Sequence, residues 1–317
     1  MTPEPSLPFA DGPGPIGDLA DPVLADPSPP LLTAAIEAYR EAAPGVVEPD
    51  LSTLRGPTPT EGPSASPTGS PAGLPTLTVL ATDRAIDVVA DAFRPASRLS
   101  ALAEADVLNL RTLSEPQPNP VLAGRETGHA LVPGGNREGG ERDGDDDGAG
   151  PMEAWCRVGH DPALRERYAP LVEAAERRRP RAPSRRRVYD ELRERCGVAV
   201  AGDVIRGFDA EVVVDSAGDA PGGGPLDLAG ARRRAYVAGV RRGALDRNLR
   251  RACEDAGLGS SATFTRIKRE LREAGLLGTE SVPQPVGRPR ERLVGRGALA
   301  EADGPGEAVA AVTNATE

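Results

Sequence analysis

The sequence predicts a two-domain α+β protein, and three observations carry that reading. Two apolar, β-rich runs, "TLTVLA" (76–81) and "VLNLRTL" (107–113), flank a stretch with helical patterning, the order of a small α/β sheet. From residue 161 onward the apolar residues recur mostly at helical spacing. Charge divides along similar lines: residues 1–154 are strongly acidic, whereas residues 226–296 hold 16 basic against 8 acidic side chains. At 317 residues the chain is long enough for two cores.

Residues 1–29 are Pro, Asp and Gly with little apolar content, and they read as disordered. An α/β unit is expected over 30–133. "PLLTAAIEAYREAAPG" (30–45) is patterned as an amphipathic helix closed by Pro44 and Gly45, and "GVVEPDL" fits a short strand. The Pro/Ser/Gly insert at 56–74 holds too little apolar surface to pack. After the strand at 76–81, Thr82 can cap a helix whose apolar face is Ala85, Val88, Val89 and Phe93. A further helix fits Ser97–Ala105. The strand at 107–113 follows, and "PVLAGRETGHALV" (120–132) is patterned as a hairpin with Gly128 in its turn region. Residues 134–151 form an acidic loop. Residues 152–214 are expected to be helical, with Ser184 capping "RRRVYDELRERC" and Gly197 ending it. Residues 215–225 read as a linker and 297–317 as a disordered tail.

Several function classes are disfavoured. No run approaches the roughly 20 apolar residues that span a bilayer, and the first residues lack the basic start and apolar stretch of a secretory leader. Cys156, Cys196 and Cys253 are widely spaced, form no CxxC pair and suggest neither a disulfide framework nor a zinc site. A reducing cytoplasm is the expected compartment. The aspartates at 143–147 lack the calcium-loop pattern with its terminal glutamate. The two histidines, His129 and His160, have no partner set for catalysis, and neither a phosphate-binding loop nor a nucleophile elbow occurs. The chain therefore reads as a non-enzyme without a cofactor.

The C-terminal residues, 226–296, carry the most information. Asp227 can cap a helix that runs to about Arg242, although Arg232, Arg233 and Arg234 are unusually charged for a core-facing helix. In "ALDRNLRRACEDAG", Leu245, Leu249, Ala252, Cys253 and Ala256 share one face, with Gly257 placed for a left-handed C-cap. A short turn follows, and Ser260 or Ser261 can cap a third helix. Two helices joined by a tight glycine-bearing turn make a helix-turn-helix. In the third helix Phe264, Ile267 and Leu271 point one way, and Ala262, Thr265, Arg266 and Arg269 point the other. Small residues at the start admit close approach to base edges. Arginine can read guanine with two bonds, and threonine can serve a base or the thymine methyl. Ser261, Thr263 and Lys268 lie to the sides, placed for phosphates. "GTESVPQPVGRPRERLVG" (278–295) then has two short segments around a Pro/Gly-rich turn, a β-hairpin wing with Arg288 and Arg290 at its tip, suited to a narrow minor groove. The predicted whole is a winged helix-turn-helix, with double-stranded DNA as the partner. The bland alternative is an amphipathic helix and a charged surface turn.

"SSATFTRIKRELREAGLLGTESVPQPVGRPRERL" resembles the C-terminal domain of the TbsP-type transcriptional regulators of halophilic archaea. "TLTVLATDRAIDVVADAF" and "APSRRRVYDELRERCGVAVAGDV" look like the same family's N-terminal and middle segments. The resemblance implies a sequence-specific transcription factor whose α/β domain serves as a sensor or dimerisation unit, hence a homodimer. It implies DNA-facing roles for Ser261, Thr265, Arg266, Lys268, Arg269, Arg288 and Arg290. The family pattern leads one to expect a lysine where Ser261 stands. Lys268 is the sole lysine beside 37 arginines, and acidic residues outnumber basic ones, a bias shared by proteins of salt-accumulating archaea and by GC-rich genomes. The rival reading is a winged helix that binds another protein, which would present an apolar patch where Arg266 and Arg269 stand. RNA binding lacks interleaved aromatics for stacking.

Overall fold

A computed structural model describes residues 4–9, 12–56, 74–132, 154–159, 163–210, 225–284 and 289–316. The described chain divides into two compact units. The first takes its residues from 1–48, 59–89 and 102–179, and the second from 49–58, 90–101 and 180–317.

The N-terminal residues depart from expectation. Within 1–29 the chain forms β1 (Ser6–Phe9), β2 (Gly12–Pro15), a 3-10 turn at Ile16–Asp18 and β3 (Val23–Ala25). Leu7, Ile16, Val23, Leu24 and Ala25 are buried, so a few well-placed apolar residues suffice where the rest of a sheet supplies the partner surface. The prolines are tolerated because β1 and β2 lie at the margin of that sheet. Next comes α1 (Pro29–Ala42), with Ser28 accepting from the Leu31 amide and prolines in its first turn. The strand expected in "GVVEPDL" is instead two helical turns, α2 (Pro44–Val47) and α3 (Leu51–Arg55). Pro44 starts the first, and Asp50 caps the second by accepting from the Thr53 amide at 2.7 Å.

The segment β4 (Leu77–Ala81), α4 (Asp83–Asp91), α5 (Phe93–Glu104) and β5 (Leu108–Thr112) keeps the expected strand–helix–strand order, as does the hairpin of β6 (Val121–Ala123) and β7 (Gly128–Val132). Residues 152–214 are not wholly helical, since β8 (Ala154–Gly159) precedes α6 (Ala163–Ala174). The eight strands form one sheet in the order β2-β1-β8-β7-β6-β3-β4-β5. β3, β4 and β5 run parallel, while β6, β7 and β8 continue antiparallel from β3. The outer edge of β5 is not left open: the Thr112 amide donates to Glu176 O and the Arg178 amide to Leu110 O.

The second unit is helical. Besides α3 and most of α5, its elements are α7 (Arg185–Cys196), α8 (Val198–Asp209), α9 (Leu228–Arg241), α10 (Asp246–Asp255), α11 (Ser261–Glu273), β9 (Leu277–Val282), β10 (Arg290–Gly295), α12 (Ala298–Glu301) and α13 (Pro305–Thr316). Ser184 caps α7 by accepting from the Arg187 amide. One core joins Val188, Leu192, Val204 and Phe208 of α7 and α8 to Tyr236, Leu249, Phe264 and Leu271 of the later helices, with Leu54, Phe93 and Ala96 in the same cluster. The helical middle segment and the C-terminal residues 226–296, read as separate stretches of sequence, therefore share a single core. The expected disordered tail is α12 and α13 instead, with Leu299, Ala308, Val309 and Val312 buried. Its apolar residues found a surface on α8 and α9 that local composition did not announce.

A buried carboxylate fastens these helices. Asp203 of α8 has a side chain 1% exposed and takes Arg206 at 3.0 Å, Arg241 at 2.5 Å and Arg242 at 2.6 Å. Burial alone would push its carboxyl up. The hydrogen bond from Arg242 and the charges of Arg242, Arg241 and Arg206 outweigh that, so it sits below the ordinary carboxylate range. Part of the puzzling charge of α9 is explained in the same way: Arg234 donates to Gly207 O at 2.9 Å and Ala210 O at 2.7 Å, closing the carbonyl end of α8. The insert core (57–73), the acidic loop (134–151), most of the linker (215–224), His160 and Arg288 lie outside the described residues.

Candidate nucleic-acid interface

The turn between α10 and α11 is built by its sequence. Gly257 adopts φ +85°, a left-handed conformation that L side chains rarely take. The Leu258 amide then donates back to Cys253 O at 2.9 Å, and Leu258 is buried. Arg232 of α9 donates through Nε to Leu258 O, so a basic residue that looks misplaced in the helix secures the turn. Ser260 ends the turn, its hydroxyl accepting from the Thr263 amide at 3.4 Å to cap α11. Close packing of the preceding pair needs glycine: a Cβ on Gly239 of α9 would lie 2.3 Å from Leu249 Cδ2 of α10.

The faces of α11 fall as its periodicity requires. Phe264, Ile267 and Leu271 are buried, and Phe264 stacks on Tyr236 with ring centroids 6.1 Å apart. Ala262, Thr265, Arg266 and Arg269 are exposed, the two arginine side chains by 63% and 70%. Glutamates one turn further on hold them loosely, Glu270 at 3.6 Å from Arg266 and Glu273 at 3.9 Å from Arg269. Arg233 of α9 adds a second partner to Glu270 at 3.3 Å. Ser261 and Thr263 are half-buried at the start of the helix.

Lys268 differs from the others. Its side chain is only 12% exposed, with Nζ 3.0 Å from Asp246 Oδ2 of α10 and 2.5 Å from Glu291 Oε2 of β10. It faces inward, between two carboxylates, rather than toward solvent. Arg290 is exposed at the start of β10, opposite Val282 of β9. The β9–β10 hairpin is anchored to the helices at its base: the Leu293 amide donates to Ala244 O at 3.0 Å, and Arg292 bridges to Leu245 just before α10.

Asp246 is the residue that sequence reasoning passed over. It is 3% exposed and accepts from Tyr236 Oη at 2.6 Å, from Lys268 Nζ and from Arg250 Nη2, the last two at 3.0 Å. Burial pushes its carboxyl up, but the bonds from Tyr236 and Lys268 and the charges of Lys268 and Arg250 outweigh it and hold the group below the usual range. Burial, with the bond to Asp246 second, raises the Tyr236 hydroxyl. Arg250 in turn reaches Ser261 Oγ at 3.2 Å and Thr265 Oγ1 at 3.3 Å. One carboxylate thus ties α9, α10, α11 and, through Lys268 and Glu291, the hairpin. In sequence it was simply an acidic residue at a helix start.

The rival sites are of a different kind. His129 lies on β7 with its ring 4.6 Å from that of Phe9, and burial, then the charge of Arg157, lowers its pKa. Cys253 is fully buried; burial pushes the Cys196 thiol up to about 11. Among the described residues no group of three metal-ligating side chains occurs, and no helix is long and apolar enough to cross a membrane.

Three helices, a tight glycine turn before the third, and an arginine-bearing outer face on that third helix define a helix-turn-helix DNA-binding regulator. Residues 184–313 match the family model described as the C-terminal HTH domain of TbsP-like transcriptional regulators, and residues 64–152 match that of their N-terminal domain. The chain belongs to the TbsP-like family of transcriptional regulators, a non-enzymatic class. No curated protein and no solved structure matches it.

Proposed function

We propose that the protein regulates transcription by reading duplex DNA through a winged helix-turn-helix, with α11 in the major groove and the β9–β10 hairpin as the wing. The observation that carries this is the outer face of α11. Arg266 and Arg269 project from a helix whose other side is locked into the core, and the small residues Ala262 and Thr265 precede them. In this reading Arg266 and Arg269 contact base edges, while Ser261, Thr263, Arg288 and Arg290 contact the backbone or minor groove. Lys268 positions the wing rather than meeting a phosphate, because its ammonium is already shared by Asp246 and Glu291.

The arginine bias and acidic excess support a salt-accumulating archaeal source and a cytoplasmic setting. In molar salt the Debye length is about 3 Å, so phosphate attraction contributes little and base contacts carry more of the affinity. A homodimer formed through the first unit compensates by linking two half-sites. Light scattering at working concentration is expected to give twice the mass of the chain; a monomer would remove this part of the proposal.

The deciding experiment is genome-wide occupancy of the tagged protein beside an Arg266→Ala/Arg269→Ala variant. Discrete peaks that vanish in the variant are expected, and each lost bidentate contact corresponds to about 1–3 kcal/mol of base discrimination. Peaks that persist unchanged would move the reading surface away from α11. No peaks in either protein would favour a protein-binding role for the same fold.

A further inference from the structure

Thr265 sits at the centre of the exposed face of α11, and a threonine there has two ways to read a base: through its hydroxyl or through its methyl group. The hydrogen bonds around it decide between them. Its single hydroxyl proton is given to Ser261 O, one turn back, at 2.9 Å. Its oxygen is approached by Arg250 Nη1 at 3.3 Å. That guanidinium is not free to leave, because Nη2 is held at 3.0 Å by the buried carboxylate of Asp246 and Nη1 also serves Ser261 Oγ. The donor is spent and one of the oxygen's two lone pairs is engaged, so the methyl is the branch of this exposed side chain that carries no hydrogen-bonding duty.

We infer that Thr265 reads the 5-methyl group of a thymine by apolar contact, and that Arg250 is the positioning residue that turns the hydroxyl away from the DNA. The inference rests on the proposal that α11 enters the major groove, and it names one base that the helix prefers. The neighbouring Ala262, on the same face, leaves room for the methyl to approach.

The test starts from selection of the full-length protein against a random duplex pool. Binding to the enriched motif is then remeasured with uracil, which lacks the 5-methyl group, replacing each thymine in turn. One position is expected to lose about 4-fold in affinity, the effect of exposing a single methyl. Thr265→Val keeps both the binding and the uracil penalty, because it retains a methyl in that place. Thr265→Ser binds the thymine duplex as weakly as the uracil one, and the penalty disappears. Arg250→Met, with its fold checked by circular dichroism, is expected to shrink the penalty by freeing the hydroxyl. An enriched motif without any uracil-sensitive position overturns the inference. So does the opposite variant pattern, in which Thr265→Ser retains selectivity and Thr265→Val loses it, since the hydroxyl would then be the reader. If no motif is enriched at all, the duplex-reading proposal fails first and this inference falls with it.

Discussion

At the scale of single residues, two buried aspartates organise the C-terminal unit. Asp203 and Asp246 each gather cationic partners, and both are held below the ordinary carboxylate range in the folded state. A folded pKa below the unfolded value, about 3.9 for aspartate, means a stabilising contribution that is complete above that value. The contribution is lost as the pH falls through the depressed folded pKa. The melting temperature is therefore expected to stay level from pH 7 to about 5 as far as these groups are concerned, and to fall below about pH 4. Asp203→Asn leaves three guanidinium groups without their carboxylate and should cost about 3–5 kcal/mol at pH 7, with a shallower acid limb. Urea melts at pH 7 and pH 3.5 check both statements, and an unaltered acid limb in Asp203→Asn and Asp246→Asn alike would contradict them. Lysine at 268 makes sense in the same terms. In a chain that otherwise uses arginine, a compact ammonium with three donors serves as a point charge between two carboxylates that come from different elements.

At the scale of elements, the approach of α9 and α10 is set by Gly239, where an added Cβ would run into the Leu249 side chain. Gly239→Val should separate the two helices and cost about 1–3 kcal/mol through overpacking, measured as a lower denaturant midpoint with an unchanged slope. Because Asp246 begins α10, the same variant should also loosen α11. Elements of this kind were largely legible. Thr82, Ser184 and Asp227 cap the helices they were expected to cap, Ser260 is the one of the two candidate serines that caps α11, and Gly257 turns where the pattern placed it, since caps and left-handed turns are local chemistry. What escaped the sequence depends on distant partners. β1–β3 are held by a sheet completed more than a hundred residues later, and α13 by a surface on α8 and α9. The candidate interface shows the same division. The outward set of Thr265, Arg266 and Arg269 follows from a period of 3.6, whereas the inward turn of Lys268 depends on Glu291 in another element.

At the scale of the whole molecule, the unit that holds α11 is larger than the helix-turn-helix motif. Its core extends from α7 to α13 and includes Leu54, Phe93 and Ala96 from the first third of the chain. A fragment of residues 226–296 would lose Val188, Leu192, Val204, Phe208 and Val312, which share one core with its own apolar residues in the intact protein. Such a fragment is expected to aggregate or to lack a cooperative melt by circular dichroism. A sharp unfolding transition in it would show that the motif folds alone.

The inclusion of residues 49–58 and 90–101 in the second unit also bears on descent. Two domains can be recombined by a single join only where the boundary falls in a linker crossed by few contacts. Here one join would leave Leu54 and Phe93 on the wrong parent, and the graft would inherit a hole in its core. The two units of this chain are therefore expected to have been inherited together, and a working hybrid would have to carry both early segments along with the helix-turn-helix end.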